Sequence, residues 1–112
     1  MPELLPNAER AFIDPAKLGD YCLNPDHEVG QNKARVFQAA LGLTMDDAER
    51  FEQILLVAVL TTAAQRLPRN EYGERFVVDI KMLGRRGEVV VRSAWIILDH
   101  EDFPKLTTCY VK

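Results

Sequence analysis

Four residues in this sequence combine into metal-free acid–base and phosphate chemistry: His27, Lys33, Asp79 and Arg92. A loop histidine can act as general acid or base near neutral pH. Lysine and arginine hold phosphate oxygens, arginine through a two-pronged fork. His27 sits in Asp26-His27-Glu28-Val29-Gly30, six residues ahead of Lys33. Lys33 falls in the middle of an apolar helical stripe with Val36, Phe37 and Ala40, in the first turn, where the helix dipole disfavours a cation. Either its stem packs and its ammonium reaches out past the helix end, or the cation is held in a groove and aimed at a phosphate. Gly30 offers N–H groups at the helix start to an anion.

Arg92 interrupts an apolar strand between Val89-Val90-Val91 and Ile96-Ile97. Hairpin pairing sets Asp79 across from it. The pair is either a cross-strand ion pair on an exposed face, or a guanidinium presented to phosphate with Asp79 beside it. Ser93 and Trp95 share the opposite face of the same strand. Trp95 reads as core, but Trp95 or Tyr110, if exposed, would stack a base. Thr108 and Tyr110 alternate on the last strand and reach a ligand from the sheet, or Tyr110 caps the core with its hydroxyl in water.

Other chemistries lack their motifs. There is no CxxC, HExxH, glycine-rich phosphate loop or GxSxG. His100-Glu101-Asp102 are neighbours on one loop and read as solvated. No metal and no cofactor are expected. Cys22 and Cys109 lie far apart without metal-type spacing, and read as buried thiols.

The elements that must position these residues follow from periodicity. Residues 1–10 form an irregular lead-in, with Pro2 and Pro6 blocking regular structure. Ala11-Phe12-Ile13 is a short edge strand. Asp14-Pro15 opens a helix over 16–23, with Asp as N-cap and Pro at the first position, and Asn24-Pro25 closes it. A second helix spans 31–41 and is closed by Gly42. Thr44 and Asp47 form a capping box in front of a long helix over 45–66. The middle of that helix, residues 54–64, carries no charge, so the helix is expected to be buried on several sides. After Gly73, Phe76, Val78, Ile80 and Met82 alternate with Arg75, Asp79 and Lys81, the pattern of a half-buried antiparallel strand over 75–82. Gly84-Arg85-Arg86-Gly87 is a hairpin turn. A central strand over 88–98 and a last strand over 106–111 complete the chain. The fold class is α+β: N-terminal helices and one long buried central helix packed on a C-terminal antiparallel meander.

The 112 residues suit one domain, 1–112, with 47% hydrophobic and 28% charged residues. A net charge of −3 argues against a strong non-specific nucleic-acid binder. The uncharged run is about half of the roughly 20 residues that span a bilayer, so no membrane association is expected. With Glu3, Asn7, Glu9 and Arg10 in place of a basic start and an apolar block, no export signal is read, and a cytoplasmic location is expected.

The stretches LPNAERAFIDPAKLGDYCLNP, HEVGQNKARVF, YGERFVVDI, VRSAWII and EDFPKLTTCYV resemble a small bacterial domain family of uncharacterised function. Its members occur free-standing beside a small partner gene and at the C-termini of polymorphic toxins. The resemblance implies a toxin-like module with a small neutralising protein as partner. The order of helices followed by a meander is similar to the barnase–EndoU–colicin–RelE group of metal-independent ribonucleases. That similarity implies RNA as substrate, His27 and Lys33 at the helix-side positions, and Arg92 with Thr108 or Tyr110 on the sheet side. His27 would be the base or acid, and Lys33 and Arg92 would hold the scissile phosphate, with Asp79, Ser93, Trp95, Thr108 and Tyr110 around the substrate. Such toxins are often basic, whereas this chain is acidic. The competing reading is a non-catalytic module of immunity or adaptor type that binds a protein. Homo-oligomerisation stays open on either reading.

Overall fold

The computed structural model describes residues 3–112. Its elements are β1 (Glu3–Leu4), a 3-10 turn (Ala8–Arg10), α1 (Pro15–Lys17) running into a π-helical turn (Leu18–Cys22), and α2 (Gln31–Leu41). A second 3-10 turn (Met45–Asp47) leads into α3 (Ala48–Ala58), followed by β2 (Ala63–Leu67), β3 (Gly73–Gly84), β4 (Gly87–Leu98) and β5 (Lys105–Val111). The strands form one antiparallel sheet in the order β1-β2-β3-β4-β5, so the chain is an α+β fold with a C-terminal meander. None of the described helices is long and apolar enough to cross a membrane.

Local signals fix most of the boundaries. The Asp14 side chain accepts from the Ala16 N–H at 3.0 Å, with Pro15 at the first helical position. Gly42 closes α2 at φ 70°, where a side chain would be strained. Thr44 and Asp47 cap each other's backbone as a reciprocal box. Gly84 pairs with Gly87 across the two-residue turn Arg85-Arg86.

The inner face of the sheet presents Phe76, Val78 and Ile80 from β3, Val91 and Trp95 from β4, and Leu106 and Cys109 from β5. Against it pack Phe37 of α2 and Phe51 and Leu55 of α3, with the Phe37 and Phe51 rings edge-on at 5.4 Å. The alternation of β3 therefore predicts its buried face correctly.

The helix expected over 45–66 is corrected in two ways. It ends at Ala58, and Ala63–Leu67 is a strand. β2 pairs with β3 from Ala64 opposite Val78 to Leu67 opposite Arg75. Alanine-rich sequence favours helix only weakly, and the ladder that this segment completes on the edge of β3 overrides that preference. Nor is the uncharged run enclosed. Phe51, Leu55 and Val59 are buried along one side, whereas Val57 is 64% exposed and Ile54 and Leu60 are exposed too. The strand expected at 11–13 reduces to one parallel bridge, Phe12 beside Lys105, with Phe12 N–H donating to Pro104 O and Leu106 N–H to Phe12 O. The lead-in is more regular than expected, since Glu3–Leu4 adds to β2; Pro2 lies outside the described residues.

Between β4 and β5 the register shifts at Ala94 and Trp95: Ala94 faces Thr108, and Trp95 faces Leu106. A bulge of this kind bends a strand and re-aims its side chains. The residue after it, Thr108, turns toward α2.

Candidate functional site

Lys33 is the centre of the cluster. Its ammonium donates to the Tyr21 hydroxyl at 2.8 Å and to Thr108 Oγ1 at 2.9 Å. It lies 4.8 Å from the centre of the Tyr21 ring and 5.8 Å from that of Tyr110, within reach of both π faces. Among the described residues it has no carboxylate partner. The half-buried ammonium therefore keeps a net positive charge beside a cleft of about 240 Å³ bounded by Asn32, Lys33, Val36, Tyr110 and Val111.

Three elements converge to hold it. α2 brings Lys33, the π-helical turn after α1 brings Tyr21, and β5 brings Thr108 and Tyr110. Gly30 makes the approach feasible. A Cβ there would lie 2.2 Å from the Tyr21 carbonyl oxygen and 2.8 Å from its ring, so any side chain would push α2 away from Tyr21.

His27 joins through Tyr21, the two rings meeting edge to face at 5.0 Å. Its Nδ1 accepts from the backbone N–H groups of Val29 at 3.0 Å and Gly30 at 2.9 Å. With Nδ1 an acceptor, the proton of the neutral ring sits on Nε2, an assignment drawn from the hydrogen-bond network. His27 in this state offers a donor, not a base. The same bonds occupy the Gly30 N–H, so the expected anion site at that N–H is not available.

On the sheet, Arg92 is tied down. Its Nε and Nη2 meet the two oxygens of Asp79 at 2.8 and 3.0 Å, and Lys112 adds a contact to Asp79 at 3.2 Å. The Arg92 guanidinium, helped by Lys112 and against the opposing effect of burial, holds the Asp79 carboxyl below the usual carboxylate range. Arg92 in turn is raised, chiefly by Asp79 and to a lesser degree by Tyr110. Of the two readings of this pair, the cross-strand ion pair is the one observed. It connects to Lys33 through Tyr110, opposite Arg92 on β5.

Trp95 is core, as read from its strand, and the placement of Ser93 and Trp95 around a substrate is corrected. They are 0% and 1% exposed. The Trp95 indole N–H donates to Ser93 Oγ at 2.9 Å, and Ser93 Oγ donates to the Val78 carbonyl at 2.9 Å. This relay satisfies the polar atoms of a large core side chain, and neither residue can meet a substrate. Their alternation with Val91 on the inner face of β4 puts them there.

Cys22 and Cys109, free thiols and both fully buried, lie directly behind the cluster. Cys22 Sγ stands 4.0 Å from Thr108 Oγ1. A hydrogen bond from the Cys109 thiol, aided by the Cys109 backbone N–H, Thr108 and the charge of Lys33, brings Cys22 down to about 7 against the opposing effect of burial. Cys109 moves the other way, raised by the same thiol contact and by its burial. Two thiols sharing one hydrogen bond lose their protons as a pair, the first near neutrality and the second far above it.

The structure thus brings His27, Lys33, Thr108 and Tyr110 into one connected patch, with Asp79 and Arg92 at its sheet side, and leaves Ser93 and Trp95 in the core. Sequence reasoning missed Tyr21 as a member. It lies far from Lys33 and Thr108 along the chain, and only the Tyr-before-His spacing around the Asn24-Pro25 break hinted that the two rings could stack. No group of three potential metal ligands occurs among the described residues. Residues 4–112 match a protein family described as a domain of unknown function (DUF6883). No curated protein and no solved structure matches the chain.

Proposed function

The chain belongs to the DUF6883 family, and from that premise we propose that it is a metal-independent ribonuclease-like toxin domain whose site is centred on Lys33. The observation that carries this reading is the Lys33 ammonium, half-buried among hydroxyls and aromatic faces, open to a cleft and without a carboxylate to neutralise it. A cation so placed attracts a phosphodiester, and a preorganised cation stabilises the charge that builds on phosphate during cleavage. In this mechanism Lys33 holds the scissile phosphate. The Tyr21 hydroxyl accepts from Lys33 and keeps its own O–H group for a non-bridging oxygen, while Thr108 holds the ammonium in place. His27 offers its Nε2–H as a hydrogen-bond donor to the leaving oxygen, while water takes the proton of the attacking 2′-hydroxyl and supplies the one that the leaving oxygen gains. Tyr110 offers a ring face at the mouth of the cleft for a neighbouring base. A small neutralising protein would complete a toxin–immunity or toxin–antitoxin pair.

The test is incubation of the purified chain with total RNA in the presence of a chelator. The expected result is RNA degradation that a His27→Ala/Lys33→Ala double variant loses. No degradation by the wild-type chain, or equal degradation by the double variant, overturns the assignment.

A second reading, a non-catalytic protein-binding module of immunity or adaptor type, is favoured by one observation. Arg92 is engaged by Asp79 and shares it with Lys112, which leaves neither of these two cations free for phosphate. Recovery of a stoichiometric protein and no RNA, with no growth effect on expression, supports this reading over the first.

A further inference from the structure

A second concavity, about 600 Å³ in volume, lies between α2 and the β3–β4 hairpin and shares Val36 with the Lys33 cleft. Its walls are aliphatic: Val36, Ala39 and Ala40 on the helix, Gly87 and Val89 on the strand. Val36 is 45% exposed and puts apolar surface at the rim that the two clefts share.

Three features define what fits there. The first is a bare stretch of sheet edge. β5 pairs with β4 only from Val91 onward, where Val91 faces Val111, and Lys112 N–H reaches Val90 O at 2.8 Å. In an antiparallel strand alternate residues point their N–H and C=O to the same neighbour. Glu88 therefore directs its backbone groups to the same side as Val90, and no described strand lies beside them. The second is charge. Arg35 and Arg86 stand at the rims. Arg35 meets only the Gln31 side chain, at 3.3 Å, and neither arginine has a carboxylate partner among the described residues. Glu88 also lines the groove, so the local balance is one positive charge, with Lys33 adding a second one helical turn away. The third is chemistry that is lacking in the lining: it contains no aromatic ring. Sites for single-stranded nucleic acid stack bases on aromatic side chains, whereas aliphatic walls beside a strand edge suit an extended peptide.

We propose that this groove seats an extended segment of a protein partner, with apolar side chains alternating with carboxylates, its backbone meeting the open N–H and C=O of Glu88 just beyond the end of β5. The apolar side chains enter between α2 and β4, and the carboxylates meet Arg35 and Arg86. The proposal is independent of RNA cleavage, since its residues are not those assigned to the phosphate.

The test uses the full chain as bait for a random peptide library displayed on phage. Enriched peptides should alternate apolar and acidic residues, and a synthetic copy should shift the amide resonances of Val36, Ala39, Glu88 and Val89. Ala39→Arg, on an exposed helical position that tolerates arginine, should weaken that peptide by about tenfold or more by obstructing the floor. Arg35→Glu with Arg86→Glu should weaken it by a similar factor through charge reversal. Thermal melts of both variants confirm folding, and Val57→Asp, a charge change on an exposed position of α3 outside the groove's lining, serves as a control that keeps full peptide affinity. Failure to enrich any peptide, affinity unchanged in Ala39→Arg, or resonance shifts confined to another face overturns the proposal. So does a single-stranded RNA oligonucleotide that shifts these amides when no peptide does.

Discussion

Replacing Lys33 by methionine separates a binding cation from a structural one. Methionine keeps the length and packing of the stem and removes only the charge and the two hydrogen bonds, to Tyr21 and Thr108. Hydrogen bonds involving a charged group contribute about 1.5–3 kcal/mol each. Two aromatic faces at 4.8 and 5.8 Å add to this, by about 0.5–1 kcal/mol each. Against these stand the desolvation of a half-buried ammonium and its place in the first turn of α2, where the dipole costs about 0.3–1 kcal/mol. Tyr21 and Thr108 keep their own protons and are only partly buried, so neither is left stranded. The net loss of stability should therefore lie at the low end of that sum, about 3 kcal/mol, because the freed hydroxyls return to water. If Lys33 holds a phosphate, the loss of function is much larger. Removing one preorganised donor typically costs about a hundredfold to a thousandfold in rate. RNA cleavage at 25 °C, where both proteins stay folded, should thus fall by about two orders of magnitude or more, although the lowered Tm leaves the variant native at that temperature. Lys33→Arg, which keeps the charge but changes its shape, should fall between the two. Cleavage by Lys33→Met within about threefold of wild type refutes the reasoning, because it leaves the unneutralised cation without a task.

Other consequences follow from the same geometry. Asp79 has a folded-state pKa below its ordinary 3.8, so its contribution to stability is present above that value and is lost as pH falls through the lower folded value. Asp79→Asn should therefore be less stable than wild type at neutral pH, with the two urea midpoints converging in acid. The absorbance of thiolate near the ultraviolet edge should titrate at about 7 in the native protein, and Cys109→Ala should move it upward, since the Cys109 thiol is the main cause of the lowering. The sign for stability follows: the Cys22 contribution is complete above its ordinary 9.0 and is lost as pH drops through about 7. Along α3, Leu55→Ala should cost about 2–5 kcal/mol, because a fully buried leucine leaves a cavity. Val57→Asp should stay within about 0.5 kcal/mol, because that side chain is mostly in water. Equal losses at the two positions would restore the enclosed helix that the uncharged run suggested.

What the sequence disclosed and what it withheld divide by distance along the chain. The Asp14-Pro15 start, the Gly42 stop, the Thr44–Asp47 box and the Gly84–Gly87 hairpin were legible because each is completed within a few residues. The same holds for the Asp79–Arg92 pair, whose register the hairpin imposes. Ala63–Leu67 was misread because its state depends on the bare edge of β3, which no local pattern records. Trp95 and Ser93 were ambiguous because β4 is apolar on both faces, so alternation could not tell inside from outside. Of the site, His27 and Lys33 were visible as odd residues in their contexts. Tyr21 and the turn of Thr108 toward α2 were not, since both arise from the docking of distant segments and from a bulge.

The two-residue β1 has a consequence for the molecule in crowded solution. Among the described residues it covers β2 at Ala63 and Ala64, and none of them pairs with the outer margin of residues 65–67. An unpaired sheet margin invites other chains to add to it without limit. Arg66 stands in the middle of this stretch, fastened by Glu3 and Glu74 at 2.8 and 2.7 Å and laid over the Phe76 ring. A fixed charge flanked by two others makes a poor landing place for a second strand, and so this small ionic clasp keeps a half-open sheet from becoming the seed of a fibre.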